Sequence, residues 1–409
     1  MLDVNEGHRG RDIMSVESAG RPSEAKVVFY NDPRVRSLFF QLILLALIVA
    51  LFWFAYDNTV TNLKKRNIAQ GFGFWNVEAG FDISQTLISY SAASSYGRAF
   101  WVGLLNTLLV SFVSIVLATI LGVVIGILRL SKNWLIAKLA TVYVEIFRNI
   151  PLLLILYFWY RGVLGLLPEP RDSIKLPGSI ILNTRGLMMP RPVLADAFIY
   201  PLVVFVLMTI ASIALVWWAG RVQERTGIRP KTGWLIAGLM VLVPSIVFIV
   251  SGAPLSFDVP VQGRFNASGG MTLAPEFVSM VVGLTTYTAA FIAENVRAGI
   301  LAISKGQTEA AQSLGLSHAQ TVRLVIMPQA LRVIVPLLNS EYLSLTKNSS
   351  LGVSIGYPDL VSVFTGTVLN QTGQAVEMVS VTMLVYLTLS LLTSAFMNWF
   401  NRRVALVER

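Results

Sequence analysis

Residues 309–328 read EAAQSLGLSHAQTVRLVIMP, a short polar, amphipathic stretch set between long apolar ones. Ser304 with Gln307, and Ser317 with Gln320, each give the S-x-x-Q spacing of a capping box, so two helix starts are signalled 13 residues apart. Gly315 sits where the first helix should stop, because glycine adopts the left-handed cap conformation without steric penalty. The spacing predicts a helix of roughly three turns, about 15 Å long at 1.5 Å per residue. A tight glycine corner follows, and then a second helix that re-enters the apolar phase. Ala310 and Ala311 make one side of the short helix smooth, a shape suited to docking in a partner's groove.

Composition sets the environment of this stretch. Of the 409 residues, 55% are hydrophobic and only 13% are charged, and the mean hydropathy is +0.66. A soluble domain averages about 25% charged residues, so this is the composition of a membrane protein. The net charge of +10 does not require nucleic acid as a partner. The basic residues lie between apolar spans, where the positive-inside rule accounts for them. Zero cysteines exclude disulfides, thiolate metal sites and cysteine nucleophiles. The two histidines, His8 and His318, give a metal site almost nothing to draw on. No GxxxxGK[ST] occurs, so the chain supplies no P-loop for ATP. No Ser/His/Asp or paired-carboxylate arrangement points to hydrolysis, and neither catalytic residues nor cofactors are expected. The first apolar run follows a long charged tail and is long enough to span, unlike a signal peptide.

The predicted fold is all-α, a polytopic membrane protein of about eight transmembrane helices. A hydrocarbon core about 30 Å thick takes about 20 helical residues per crossing. Suitable segments lie near 37–56, 101–130, 138–160, 193–218, 233–252, 277–303, 333–355 and 379–400. Residues 1–36 read as a disordered cytoplasmic tail, and 161–192, rich in proline and arginine, as an irregular surface loop. In the loop that follows the first span, Phe72, Phe74, Trp75 and Phe81 are expected at the membrane interface. With the N-terminus inside, cytoplasmic segments carry 20 basic residues and outer segments 10. That ratio favours two cytoplasmic termini and puts residues 309–328 on the cytoplasmic side.

Polar residues interrupt the seventh span. At 100° per residue Glu341, Ser344 and Asn348 share one stripe, with Lys347 at its margin. Lys347 lies on the order of 20 Å along the helix from Val333. A charge at such depth costs roughly 2.5–3.5 kcal/mol on insertion scales, so it should face protein or water. These four residues are candidates for the wall of a translocation path. The alternative is that Lys347 pairs with a carboxylate for assembly alone. Glu294 and Arg297, and Glu145 and Arg148, each have the three-residue spacing of a helical ion pair, most simply an anchor at a helix end. Gly122 and Gly126 form GxxxG, a sign of close helix packing.

The pattern E-A-A-x3-G-x9-[IV]-x-[LM]-P is met at Glu309, Ala310, Ala311, Gly315, Val325, Met327 and Pro328. It resembles the EAA loop of permease subunits of binding-protein-dependent ABC importers, where the loop is the coupling helix that docks on the ATPase. The stretches ENVRAGILAISKGQTEAAQSLGLS and LTKNSSLGVSI, with VYVEIFRNIPLLLILYFWY earlier, resemble the polar amino acid branch. GFGFWNVEAGFDIS before the core resembles permeases of general L-amino acid transport systems.

The resemblance implies a type I importer core whose front half is 101–160 and whose back half is 277–400, with the coupling loop at 304–328. To this core the chain adds 37–100 (a first helix and a periplasmic loop), the insertion 161–276 with two helices, and a cytoplasmic end at 401–409. It also implies a bacterial inner-membrane location, L-amino acid substrates, a second related permease chain, two ATP-binding subunits and a periplasmic amino-acid-binding protein. Membrane lipid completes the set of partners. Glu309, Ala310, Ala311, Leu314, Gly315 and Pro328 would couple to the ATPase. An ion-coupled secondary transporter, with its ion site in the seventh span, is the main alternative. A membrane-embedded assembly or receptor protein without transport is the other.

Overall fold

The computed structural model describes residues 33–65, 70–228, 230–263 and 266–404. The expected tail over 1–36 and the end at 401–409 therefore lie mostly outside the described residues. Two units are separate, one ending at Ile68 and one running from Ala69. In the first, helix α1 (Pro33–Lys65) is a single rod that closes on Lys64 and Lys65, basic residues that suit the negative end of its dipole. Its Leu, Ile and Phe side chains are exposed, as a lone span facing lipid requires.

The second unit is built on α2 (Tyr96–Leu128), which starts where the Ser95 hydroxyl accepts from Arg98 N. The next span is broken. Asn133 caps α3 (Trp134–Asn149), and α4 (Leu152–Tyr157) begins after Pro151. The two pieces meet at 109°, so the span expected near 138–160 is sharply bent. The cause is Pro151, which cannot donate to the ladder and pushes Ile150 into extended backbone (φ −98°, ψ 130°).

The insertion is more ordered than its composition suggests. Strands β1 (Ile174–Leu176), β2 (Ile180–Asn183), β3 (Gly186–Met189) and β4 (Arg191–Leu194) precede helices α5 (Ile199–Thr226) and α6 (Gly233–Val250). After these come β5 (Leu255–Asp258), β6 (Val261–Gln262), β7 (Ala267–Ser268) and β8 (Met271–Leu273). The sheet order is β1-β2-β3-β8, all antiparallel, while β4 pairs with β5 and β6 with β7. The expected irregular loop over 161–192 is thus corrected to sheet from Ile174 onward, while its first part is a series of short helical turns. Proline and arginine hid a period-two signal at Ile181 and Asn183, and at Gly186 and Met188, which are buried in alternation. Pairing of Leu194 with Leu255 clamps the start of α5 to the end of α6, so the two helices return to one side.

Helices α7 (Pro275–Leu301), α8 (Lys305–Ser313), α9 (His318–Thr321), α10 (Met327–Asn348), α11 (Leu369–Thr372) and α12 (Ala375–Val404) complete the chain. The core lies where α2 packs on α7. GxxxG makes that contact: a Cβ on Gly122 would meet Ile292 Cβ at 2.6 Å, and one on Gly126 would meet Ala293 O at 2.8 Å. The aromatic residues expected in an interfacial belt divide. Phe72 is exposed, but Phe74 is buried in a cluster with Tyr96, Phe100, Phe364 and Met378, and Trp75 stacks 5.3 Å from Phe100. Burial against the protein overrides the interface there.

Candidate functional site

The polar residues of α10 open onto a cavity of about 330 Å³. It is lined by Glu341, Ser344, Lys347 and Asn348, and by Tyr287, Thr288 and Phe291 of α7. All four sequence candidates for the path therefore meet at one place. Asn295, also on α7, donates from Nδ2 to Glu341 Oε1 at 3.1 Å and fixes the carboxylate. The Tyr287 and Phe291 rings sit 5.0 Å apart and form the apolar wall. Lys347 is exposed and has no ion pair among the described residues. It also borders a second cavity of about 320 Å³ lined by Ser350 and by Met383, Tyr386, Leu387 and Ser390 of α12. A site with one held carboxylate, one free ammonium and an aromatic wall can bind a zwitterion by both ends.

The α7 members of this wall escaped sequence reading. Tyr287, Phe291 and Asn295 recur every four residues, which puts them on one helix face. That spacing was a usable signal, masked by the apolar run around it.

Further along α7, Glu294 gathers more than its expected partner. Arg297 Nη2 lies 2.6 Å from Glu294 Oε1, as the three-residue spacing predicts. Arg129, which caps the end of α2, also binds this carboxylate, and Arg148 of α3 approaches to 3.9 Å while its guanidinium stands 5.5 Å over the Phe291 ring. The expected Glu145–Arg148 pair is corrected: Glu145 instead accepts from Asn149, at 3.3 Å. The cluster ties α2, α3 and α7 together.

After α10, residues 356–372 form a turn and a π-helical stretch (Val361–Val368) that sequence reading did not anticipate. Buried polar groups hold it. Asn106 Nδ2 donates to Pro358 O at 2.9 Å, and Leu360 N donates to Thr107 Oγ1 at 3.0 Å. Asp359, fully buried, accepts from Ser362 N at 2.9 Å and from the Tyr386 hydroxyl at 3.3 Å.

The 309–328 stretch folds as a helix, a corner and a helix. The first helix, α8, has nine residues, about two and a half turns rather than three. Its expected capping box is absent, since the Ser304 side chain makes no cap bond. The second box forms in full between Ser317 and Gln320. Gly315 takes φ +77°. Around it Leu316 N donates to Ala311 O at 3.2 Å and Gly315 N to Gln312 O at 2.9 Å, the paired bonds of a Schellman cap. Glu309, Ala310 and Leu314 face out, with Leu314 82% exposed, while Ala311 is buried. The two alanines therefore do not form one outward face. Pro328 lies in the first turn of α10, where its missing N–H costs nothing.

Comparison with known proteins agrees with this architecture. The profile of the family described as "Binding-protein-dependent transport system inner membrane component" matches residues 118–406. The "General L-amino acid transport system permease protein AapQ" of Rhizobium johnstonii is 53% identical over 92% of this chain and 94% of its own. The "Putative amino-acid ABC transporter permease protein YhdX" of Escherichia coli is 49% identical over 93% and 97%. The "Glutamate/glutamine/aspartate/asparagine transport system permease protein BztB" of Rhodobacter capsulatus is 42% identical over 92% and 96%. None of these relationships favours an ion-coupled transporter. With its multiple apolar spans, the chain belongs to the family of inner-membrane permease components of binding-protein-dependent ABC transport systems.

Proposed function

We propose that this chain forms one half of a pathway for L-amino acids, driven by ATPase subunits that dock on α8. The observation that carries the reading is the placement of α8. The cavity is built from α7 and α10, and α8 lies on the connection between those two helices. A displacement of α8 therefore reaches both walls. An energy input biases inward- or outward-facing states only through contacts that differ between them. Glu309, Ala310 and Leu314, beside the Gly315 corner, supply the outward surface for such contacts. Gln329 Nε2, on α10, reaches back to Gln307 Oε1 at 3.3 Å and links the two ends of the loop.

In the cavity, Glu341 receives the substrate ammonium and Lys347 the carboxylate, with Ser344 and Asn348 as neutral hydrogen-bonding neighbours. On this reading both termini are cytoplasmic, the orientation that the excess of basic residues on one set of loops favours. A second, related permease completes the pathway, and a periplasmic binding protein delivers the amino acid. The core halves are 101–160 and 277–400, interrupted by the insertion at 161–276. Purification in mild detergent tests the assembly. A stoichiometric nucleotide-binding subunit and a second permease chain are expected, and a lone chain that still supports uptake without ATP overturns the reading.

A further inference from the structure

The inserted hairpin has a surface that the pathway does not use. α5 and α6 pack on each other, and few residues of their apolar windows are buried. They are joined through residues 227–232. Around this tip Arg221, Arg225 and Lys231 are exposed, with Glu224 the single acid among the described residues there. None of the three bases has an ion-pair partner among the described residues. Three tryptophans surround them: Trp217 is 63% exposed, Trp218 53% and Trp234 90%. The Arg221 guanidinium lies 3.7 Å from the centre of the Trp217 ring.

We propose that the α5–α6 tip binds the headgroup phosphates of anionic phospholipids in the leaflet it faces. Stacking occupies the flat face of the Arg221 guanidinium and leaves its N–H edge free to donate to phosphate oxygens. Arg225 follows one turn later on the same face. Exposed indoles favour the headgroup level, where an apolar body and a polar N–H are both satisfied, so they fix the depth of the bases. Each basic group close to an anionic membrane surface adds to the attraction, and salt weakens it. A protein partner is the poorer occupant because the two helices carry apolar side chains around most of their circumference, as lipid-facing spans do. The insertion thus acts as a lipid-bound arm of the permease.

The absence of cysteine gives a direct test. A single Ile228→Cys at the tip, where the side chain is 75% exposed, carries one fluorophore on the full chain in nanodiscs. Brominated phosphatidylglycerol and brominated phosphatidylcholine are compared as quenchers at equal mole fraction. The anionic lipid should quench at roughly fivefold lower fraction, the factor expected from one basic contact. Replacing Arg221, Arg225, Arg229 and Lys231, all the bases of the tip sequence, together by glutamine should bring the two lipids to parity, with elution volume and helix content unchanged. Parity in the unsubstituted tip overturns the proposal, and so does an anionic preference that survives the quadruple variant. Protection of the label by an added soluble subunit, with no lipid preference, assigns the tip to protein and overturns it as well.

Discussion

Gly315→Asp separates the docking role of the corner from its role in folding. At φ +77° a side chain is strained, but a Cβ there meets nothing within 4 Å. The cost within this chain is therefore conformational, on the order of 1–2 kcal/mol, and less for aspartate because its short polar side chain bonds locally. The Schellman bonds from Gly315 N and Leu316 N use only backbone and survive the change. Membrane content should fall by several-fold at most. The effect on docking is larger. Beside exposed Leu314, an added carboxylate that enters a partner's groove loses its water, a penalty of several kcal/mol unless a cation meets it. About 3 kcal/mol corresponds to roughly a hundredfold loss. Gly315→Ala carries the strain without the charge and should stay within roughly tenfold of the parent. Uptake of labelled amino acid per membrane-inserted chain, scaled by immunoblot, reads both variants. Equal uptake by the two, or parental uptake by the aspartate variant, refutes a docked corner.

Three further changes probe the rest of the chain. Gly126→Leu forces a side chain where a Cβ already lies 2.8 Å from Ala293 O, so the melting midpoint of the purified protein should drop, with about 1–3 kcal/mol or more lost to overpacking. Glu294→Gln leaves Arg129, whose side chain is 9% exposed, without its counter-charge, a loss of about 3–5 kcal/mol. Thermal unfolding reads this, and Arg148→Gln, at the cluster's looser edge, should cost much less. Lys347→Met should cut uptake about 10- to 100-fold, the worth of one charged hydrogen bond, with assembly unchanged on gel filtration and with part of the activity kept by Lys347→Arg.

The elements that sequence reading found are those whose cause is local. Gly315 needs only its own backbone, Ser317 and Gln320 only each other, and GxxxG only a neighbour with room for it. The capping box at Ser304 had the same letters and did not form. Its backbone leads out of α7 through Ala302 and Ile303, and Gln307 is bonded instead to Gln329, 22 residues on. The pairing of Glu294 with Arg297 was legible for the same local reason. Its contacts with Arg129 and Arg148 were not, because they join residues more than a hundred positions apart.

The cavity shows the same division and explains why half of it was visible. Glu341, Ser344, Lys347 and Asn348 are polar in an apolar span, which costs free energy unless something faces them, so they stand out in any reading. Tyr287, Phe291 and Thr288 have no such penalty, since aromatic and threonine side chains sit comfortably in a membrane helix. Only the packing of α7 beside α10 turns them into a wall. On the proposed reading that packing is also the step between the corner at Gly315 and the charge at Lys347. α8 ends nine residues before the π-turn at Val322, and α10 runs on from that turn to Lys347 without a break wide enough to absorb a shift. From Met327 to Glu341 is about 21 Å of helix. On the proposed reading α10, with Pro336 inside it, carries a push on α8 along that length to the distance between Lys347 and the α7 wall. A flexible substitution within α10 below the cavity, such as Leu337→Gly, should therefore weaken the link between ATP hydrolysis and uptake without removing either the docking face or the polar residues. Hydrolysis that continues while uptake per ATP falls supports transmission through α10. An unchanged ratio of uptake to hydrolysis refutes it.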